Sequence, residues 1–315
     1  MNIRDLKYLI AVAEHCHFGH AADACFVSQP ALSMQIKKLE DTLGVQLIER
    51  TNKSVFLTEI GKQITQHARD IIYRVDIMRD VARQAKDPYS GEVRIGVIPT
   101  LAPYLLPHII PGLAQQFPNL KIFLHEEQTE HLIVKLKHGK LDAALFGLPL
   151  IDEDFTALPL FEEELLLAIP FSHPFSKRKS IKPADLANKT LLLLEDGHCL
   201  RDQVLSLCHS VNALADKSFQ ATSLETLRHM VASNAGITLI PKLACRTNDG
   251  LCYLPFSSPK PTRMLGLIWR PSTAKKMLLE NMVVHIRKLL TKQKTVKIIN
   301  TSILCQKSQP GNRHF

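Results

Sequence analysis

The stretch Leu191–Cys208, LLLLEDGHCLRDQVLSLC, sets the architecture. Its leading leucines read as a buried strand, Glu195-Asp196-Gly197 as a turn, and the rest as a short amphipathic helix. A strand that turns straight into a helix is the repeating unit of open α/β sheets. Leu200, Val204, Leu207/Cys208 and Val211 recur at helical spacing, which puts Cys208 on the buried stripe. Cys199 lies nine residues earlier and so falls on the opposite face. An unbroken helix would hold the two Cα atoms ~13 Å apart, whereas a disulfide tolerates ~7 Å at most. Two readings stay open on the residues alone. Both cysteines can be small core hydrophobes, or they form a redox pair whose joining requires the helix to open. Asp196 can cap this helix, leaving Cys199 in the first turn, where the macrodipole stabilises an anion.

Working outward, strand and helix patterns alternate from Glu92 to Leu290. Val93–Val97, Leu120–His125, Leu141–Gly147, Glu164–Ile169, Thr190–Leu194, Gly236–Ile240 and Met264–Trp269 read as strands. Thr129–His138, Leu224–Ser233 and Met277–Leu290 read as helices, and Pro183–Ala187 as a further short element. About two hundred residues of this texture predict two α/β lobes. Ligands on such sheets lie at the carboxyl ends of strands, beside helix N-termini. Thr100, Thr129, Ser223 and the His198–Cys199 pair fall at such junctions, although each Thr or Ser also reads as a plain cap.

Upstream, residues 3–14 and 18–25 read as two helices. Ser28 caps a third, with Gln29 and Pro30 in its first turn and Gly44 ending it. Leu32, Ile36, Leu39 and Leu43 form its buried stripe, and the opposite face shows Pro30, Ser33, Met34, Lys37 and Lys38. This pattern suits either a helix-turn-helix reader of DNA or an ordinary three-helix bundle. Leu47–Leu57 reads as a hairpin with Arg50 and Lys53 at its tip, placed to lay two cations along a phosphate backbone. A long helix then runs from Thr58 to about Lys86. Ile64, Ala68, Ile71, Val75, Met78 and Ala82 give it a heptad seam, for a two-chain coiled coil or for packing within one chain. Asp87-Pro88-Tyr89-Ser90-Gly91 breaks the pattern and marks a domain boundary.

Composition sets the outer limits. The chain has 315 residues, 45% of them hydrophobic, and a net charge of +9. That charge is not concentrated where DNA would bind: residues 1–87 carry twelve Lys/Arg against eleven Asp/Glu, and residues 291–315 five basic residues and no acid. Pattern rather than bulk charge carries the DNA reading. The tail 291–315 reads as basic and disordered. Seven cysteines without framework spacing exclude a secreted disulfide scaffold. No signal peptide and no membrane-length apolar run point to the cytoplasm, where a disulfide is transient or sensory. No dinucleotide fingerprint, P-loop, nucleophile elbow or metal-ligand spacing occurs, so no cofactor and no metal are expected, and the His15–His20 cluster carries none.

The run Phe18–Arg50, FGHAADACFVSQPALSMQIKKLEDTLGVQLIER, followed by Leu57-Thr58-Glu59 and Gly61, resembles the LysR-type transcriptional regulators. Ile98-Pro99-Thr100, Tyr104–Pro111, Leu194–Gln203 and Ala221–Arg228 are similar to the peroxide-sensing branch of that family. The resemblance implies a multidomain α+β chain: a winged helix-turn-helix over 1–58, a dimerising linker helix over 59–87, and a two-lobed, periplasmic-binding-protein-like regulatory domain over 91–290. It implies double-stranded DNA and hydrogen peroxide as partners, a homodimer or homotetramer, contact with RNA polymerase, resetting by cytosolic thiols, and no enzymatic turnover. By the same resemblance Cys199 reacts with peroxide, Cys208 closes a disulfide, and Thr100, Thr129, His198 and Arg270 line the peroxide site. Gly19-His20 stand where many branch members carry basic residues. Cys16, Cys25, Cys245, Cys252 and Cys305 are bystanders. The rivals are a LysR-type regulator that binds a metabolite and has inert cysteines, and a thiol peroxidase.

Overall fold

A computed structural model describes residues 1–50, 55–84, 87–149, 154–292 and 295–299. Lys53, the side chain of Arg50, and the tail beyond residue 299, with Cys305, lie outside the described residues. The chain divides into two compact units, Met1–Ala85 and Lys86–Phe315.

In the first unit, α1 (Ile3–His15) starts at a reciprocal cap. Asn2 Oδ1 accepts from the backbone of Arg4 and Asp5, and the Asp5 carboxylate accepts from the Asn2 amide. Helices α2 (Phe18–Ala24) and α3 (Gln29–Leu43) follow; Ser28 caps α3, and Gly44, at φ +69°, ends it in the left-handed region. A two-stranded antiparallel wing, β1 (Ile48–Arg50) and β2 (Val55–Leu57), leads into α4 (Glu59–Gln84). Leu9, Val12, Ala21, Leu32, Ile36, Leu39 and Leu47 form the core.

The heptad seam of α4 divides. Ala68 is buried in this core, and Ile64 and Ile72 pack against it, so the N-terminal part of α4 belongs to the winged domain rather than to an independent linker. Ile71 and Met78 are exposed. Among the described residues, only the distal part of the seam is open to a second helix.

The second unit carries β3 (Gly91–Val97), α5 (Ala102–Gln116), β4 (Leu120–Glu126), α6 (Thr129–Lys137), β5 (Ala143–Leu148) and β6 (Thr156–Pro170). Next come β7 (Thr190–Leu194), α7 (Cys199–Val211), β8 (Leu214–Ala221), α8 (Leu224–Ala232) and β9 (Thr238–Pro241). It closes with β10 (Leu251–Leu254), β11 (Thr262–Trp269), α9 (Lys276–Leu290) and β12 (Lys297–Ile298). The residues around Pro183 form one 3-10 turn (Pro183–Leu186). The tail expected to be disordered begins with an ordered strand, because β12 pairs with β6 at Phe161 and Glu162.

One strand joins the two lobes. The first part of β6 pairs with β11 over the core of the first lobe, and its last residues pair with β9 and β10 over the core of the second. In the first lobe β4, β3 and β5 run parallel and β11 antiparallel, in the order β4-β3-β5-β11-β6. In the second, β7 and β8 form a parallel pair beside β9. The carboxyl ends of β3, β5 and β7 therefore deliver Thr100, Gly147 and Cys199 to the seam between the lobes.

Candidate functional site

Helix α7 starts at Cys199 and stands between two cores. Leu200, Val204 and Cys208 are buried in the second lobe, while Cys199, half-buried, packs on the core of the first. A Cβ built on Gly147 would stand 3.3 Å from Cys199 Sγ and 3.2 Å from Gln203 Nε2, so both side chains rest on the bare backbone of β5. The helix is continuous from Cys199 to Val211, which keeps the two cysteine Cα atoms ~13 Å apart. Burial raises the Cys208 thiol above its ordinary pKa. The helix is not capped by Asp196. His198 holds the cap position without a side-chain cap bond, and Asp196 is drawn outward by Arg201 at 2.9 Å.

The start of α6 meets the start of α7 across the lobes. Gln128 Nε2 donates to Glu195 Oε1 at 2.8 Å. Gly197 has φ +90°, and a Cβ there would fall 2.8 Å from Gln128 Oε1, so two constraints select glycine. Neither helix start is capped by a side chain, which leaves two positive dipole ends at one seam. Three buried polar atoms there have no hydrogen-bond partner among the described residues: Thr129 Oγ1, His198 Nε2 and Gln203 Oε1. The His198 ring bonds the Thr222 backbone and stands 3.9 Å from Glu195 Oε1. Burial lowers its pKa, partly opposed by the Glu195 charge and that backbone bond.

Thr100 is buried and already engaged. Arg263 Nη1 donates to its Oγ1 and Nη2 to its carbonyl, each at 3.2 Å. Arg263 also holds the buried Glu163 at 2.6 Å, and Glu163 accepts from the Leu243 amide. Arg270 stands elsewhere. Its guanidinium donates to the carbonyls of Leu136 and Leu141, near the far end of α6. The strand register gives the reason: Leu265 pairs with Gly147, but Trp269 pairs with Ala143. Five residues of chain, ~17 Å, separate Arg270 from the strand position opposite Gly147, on which the sulfur rests. The arginine at the sulfur's end of β11 is Arg263.

In the first unit, Ser28 Oγ accepts from the Ala31 amide at 3.4 Å, and Gln29, Pro30, Met34, Lys37 and Lys38 are exposed along α3. Ser33 is half-buried beside them.

Known proteins bear on both units. Residues 3–62 match the model described as bacterial regulatory helix-turn-helix protein, lysR family, and residues 86–291 match the LysR substrate binding domain. The DNA-binding transcriptional dual regulator OxyR of Escherichia coli K12 is 50% identical over 290 residues, 91% of this chain and 95% of its own. The chain belongs to the LysR family, in its OxyR group. Full-length OxyR from Pseudomonas aeruginosa, solved with an aspartate in place of a cysteine, superimposes with a TM-score of 0.75 at 37% identity, covering 91% of this chain and 95% of that one. A cysteine-to-serine variant of Corynebacterium glutamicum OxyR with hydrogen peroxide bound gives 0.63 at 30% identity, covering 92% and 93%.

For a LysR-family chain, the matched segments account for a reading helix, a wing and a ligand-type regulatory domain. Sequence reasoning did not find Arg263, Glu163, Gln128 or Glu195. Arg263 and Glu163 left one trace, opposite charges each one position ahead of a strand pattern, which the fold brings into register. Gln128 and Glu195 left none, because their contact is made only when the lobes meet. Among the described residues, no helix is long and apolar enough to cross a membrane.

Proposed function

We propose that this chain is a cytoplasmic DNA-binding transcriptional activator switched by hydrogen peroxide. The observation that carries the reading is α7 itself, one unbroken helix whose Cys199 end rests on one lobe and whose Cys208 is buried in the other. The Cys199 thiolate attacks one peroxide oxygen and the O–O bond breaks. Hydroxide leaves and takes a proton to become water, and Cys199 becomes a sulfenic acid. The Cys208 sulfur then attacks the Cys199 sulfur, water leaves, and the disulfide forms once the helix start has let go. Thr100, oriented by Arg263, and Thr129 hold the peroxide oxygens, His198 takes the Cys199 thiol proton at Nε2 and passes it to the departing hydroxide, and the two helix starts stabilise that anion. Arg263 takes the role first expected of Arg270. Cytosolic thiols reduce the disulfide and reset the switch.

On DNA, Ser28, Gln29, Pro30, Ser33, Met34, Lys37 and Lys38 meet the major groove and its phosphates, with Arg50 and Lys53 of the wing alongside. The distal seam of α4, with Ile71, Met78 and Ala82 exposed and Val75 half-buried, pairs with a second copy, and dimers associate into tetramers that engage RNA polymerase. The test is a peptide map of peroxide-treated protein digested without reductant. A Cys199–Cys208 peptide, absent in Cys208→Ser together with inducible transcription, supports the reading. Thiols that survive peroxide leave a LysR-family regulator of a metabolite.

A further inference from the structure

Gln128 and Glu195 play no part in the chemistry above, yet each stands beside a residue that does, Gln128 next to Thr129 in the chain and Glu195 beside His198. Gln128 stands just before α6 in the first lobe, and Glu195 between β7 and α7 in the second. Their side chains bond across the seam at 2.8 Å, and Gly197 lies against the Gln128 amide. The same Glu195 oxygen is 3.9 Å from His198 Nε2. The four residues from Glu195 to His198 are the only chain between β7 and the reactive cysteine.

We infer that Gln128 and Glu195 form an interlobe clasp that seats His198 and Cys199 for attack on peroxide and must release before Cys199 can reach Cys208. Both are positioning residues, and the assignment rests on the peroxide reading above. Cys208 is fixed in the second lobe's core, so Cys199 has to leave its seat on Gly147 and carry the Glu195–His198 loop with it. That movement breaks the clasp. The lobes stay joined through β6 and through the Tyr104 hydroxyl, which donates to Glu225 at 2.6 Å. Losing the clasp therefore loosens the loop without separating the lobes. Its two effects have opposite signs: the first chemical step loses preorganisation, and the second loses a barrier.

The experiment measures both steps in the full-length protein. Sulfenic acid formation is followed with a dimedone-type probe in a Cys208→Ser background. Disulfide closure after a single peroxide pulse is followed by acid quench and alkylation in chains that keep Cys208. Gln128→Ala should slow the first step and speed the second, each by about tenfold, the effect of one hydrogen bond to a charged group. The exchanged pair Gln128→Glu/Glu195→Gln restores a donor and an acceptor with their lobes reversed, and should return both rates to within about twofold of the parent. Rates that fall together, rates that do not move, or an exchanged pair no better than Gln128→Ala would overturn the clasp. A parent protein that forms no sulfenic acid would instead remove the peroxide reading itself.

Discussion

Arg263 and Glu163 meet as charges in a place with almost no water, and the pair must be judged by what remains when one partner goes. An isolated buried charge costs ~3–5 kcal/mol, whereas an apolar replacement of both partners is often neutral or better. Arg263→Ala is therefore expected to lower unfolding stability by about that amount, and Arg263→Met/Glu163→Leu to recover most of it, as measured by urea denaturation. The double variant should still react slowly with peroxide, because Thr100 has lost its donor. Arg270→Ala should do the reverse. It frees two carbonyls and costs ~1–3 kcal/mol, while the rate of sulfenic acid formation stays unchanged. The contrast shows what the sequence held at this scale. Cys199, Thr100, Thr129 and His198 could be placed at strand-to-helix junctions from local pattern, and Cys208 on the buried stripe of its helix. The choice between two arginines seven positions apart, one near the start of β11 and one just past its end, could not, because it depends on the register of β11 against β5. His198 adds a pH signature. Its folded pKa lies below the ordinary 6.5, so the unfolded chain takes up the proton first. The stability involved is fully present above that value and is lost as pH falls through and below it. Denaturation midpoints taken from pH ~7.5 down to ~5.5 should fall less steeply in His198→Asn than in the parent.

Helices α7 and α4 each serve two masters, and in both the periodicity was visible while its division was not. A stripe at helical spacing says that a face is buried. It does not say which neighbour buries which part. In α4 the proximal seam is used by the chain's own α1 and α3 domain, with Ala68 1% exposed, and the distal seam lies open, with Met78 71% exposed. Ala68→Glu should therefore unfold the winged domain, a buried unpaired charge being among the costliest of substitutions. Met78→Glu should leave the domain folded and shift sedimentation from dimer or tetramer toward monomer. If both variants unfold, or neither changes assembly, the seam is not an interface. In α7 the expected outcome is a change of amide protection. Peroxide should abolish slow hydrogen exchange over residues 200–207 in the parent and spare it in Cys208→Ser, since only ring closure demands that the coil open.

At the scale of the molecule the alternating pattern foretold two lobes, but not that a single strand would build both. The β6 pattern was legible only as Glu164–Ile169, the part that enters the second lobe. Its earlier residues, among them Leu160 and Phe161, belong to the first core, and Leu165, Leu167, Ala168 and Ile169 belong to the second. Neither lobe can lose its core without withdrawing that strand from the other. The 1–85 unit has its own core, built from α1, α2, α3 and the start of α4, and among the described residues it shares no strand with the rest. Calorimetry should accordingly resolve two transitions rather than three: one for the winged unit and one for both lobes together. Peroxide should shift the lobe transition, where α7 is buried, and leave the winged transition within about a degree of its original position when no operator DNA is present. Substitutions in β6 test the coupling directly. Phe161→Ala empties the first core and Leu167→Ala the second, each at a cost of about 2–5 kcal/mol. Both should move the same transition as a whole, and a variant that splits it would show that the lobes melt separately despite the strand they share.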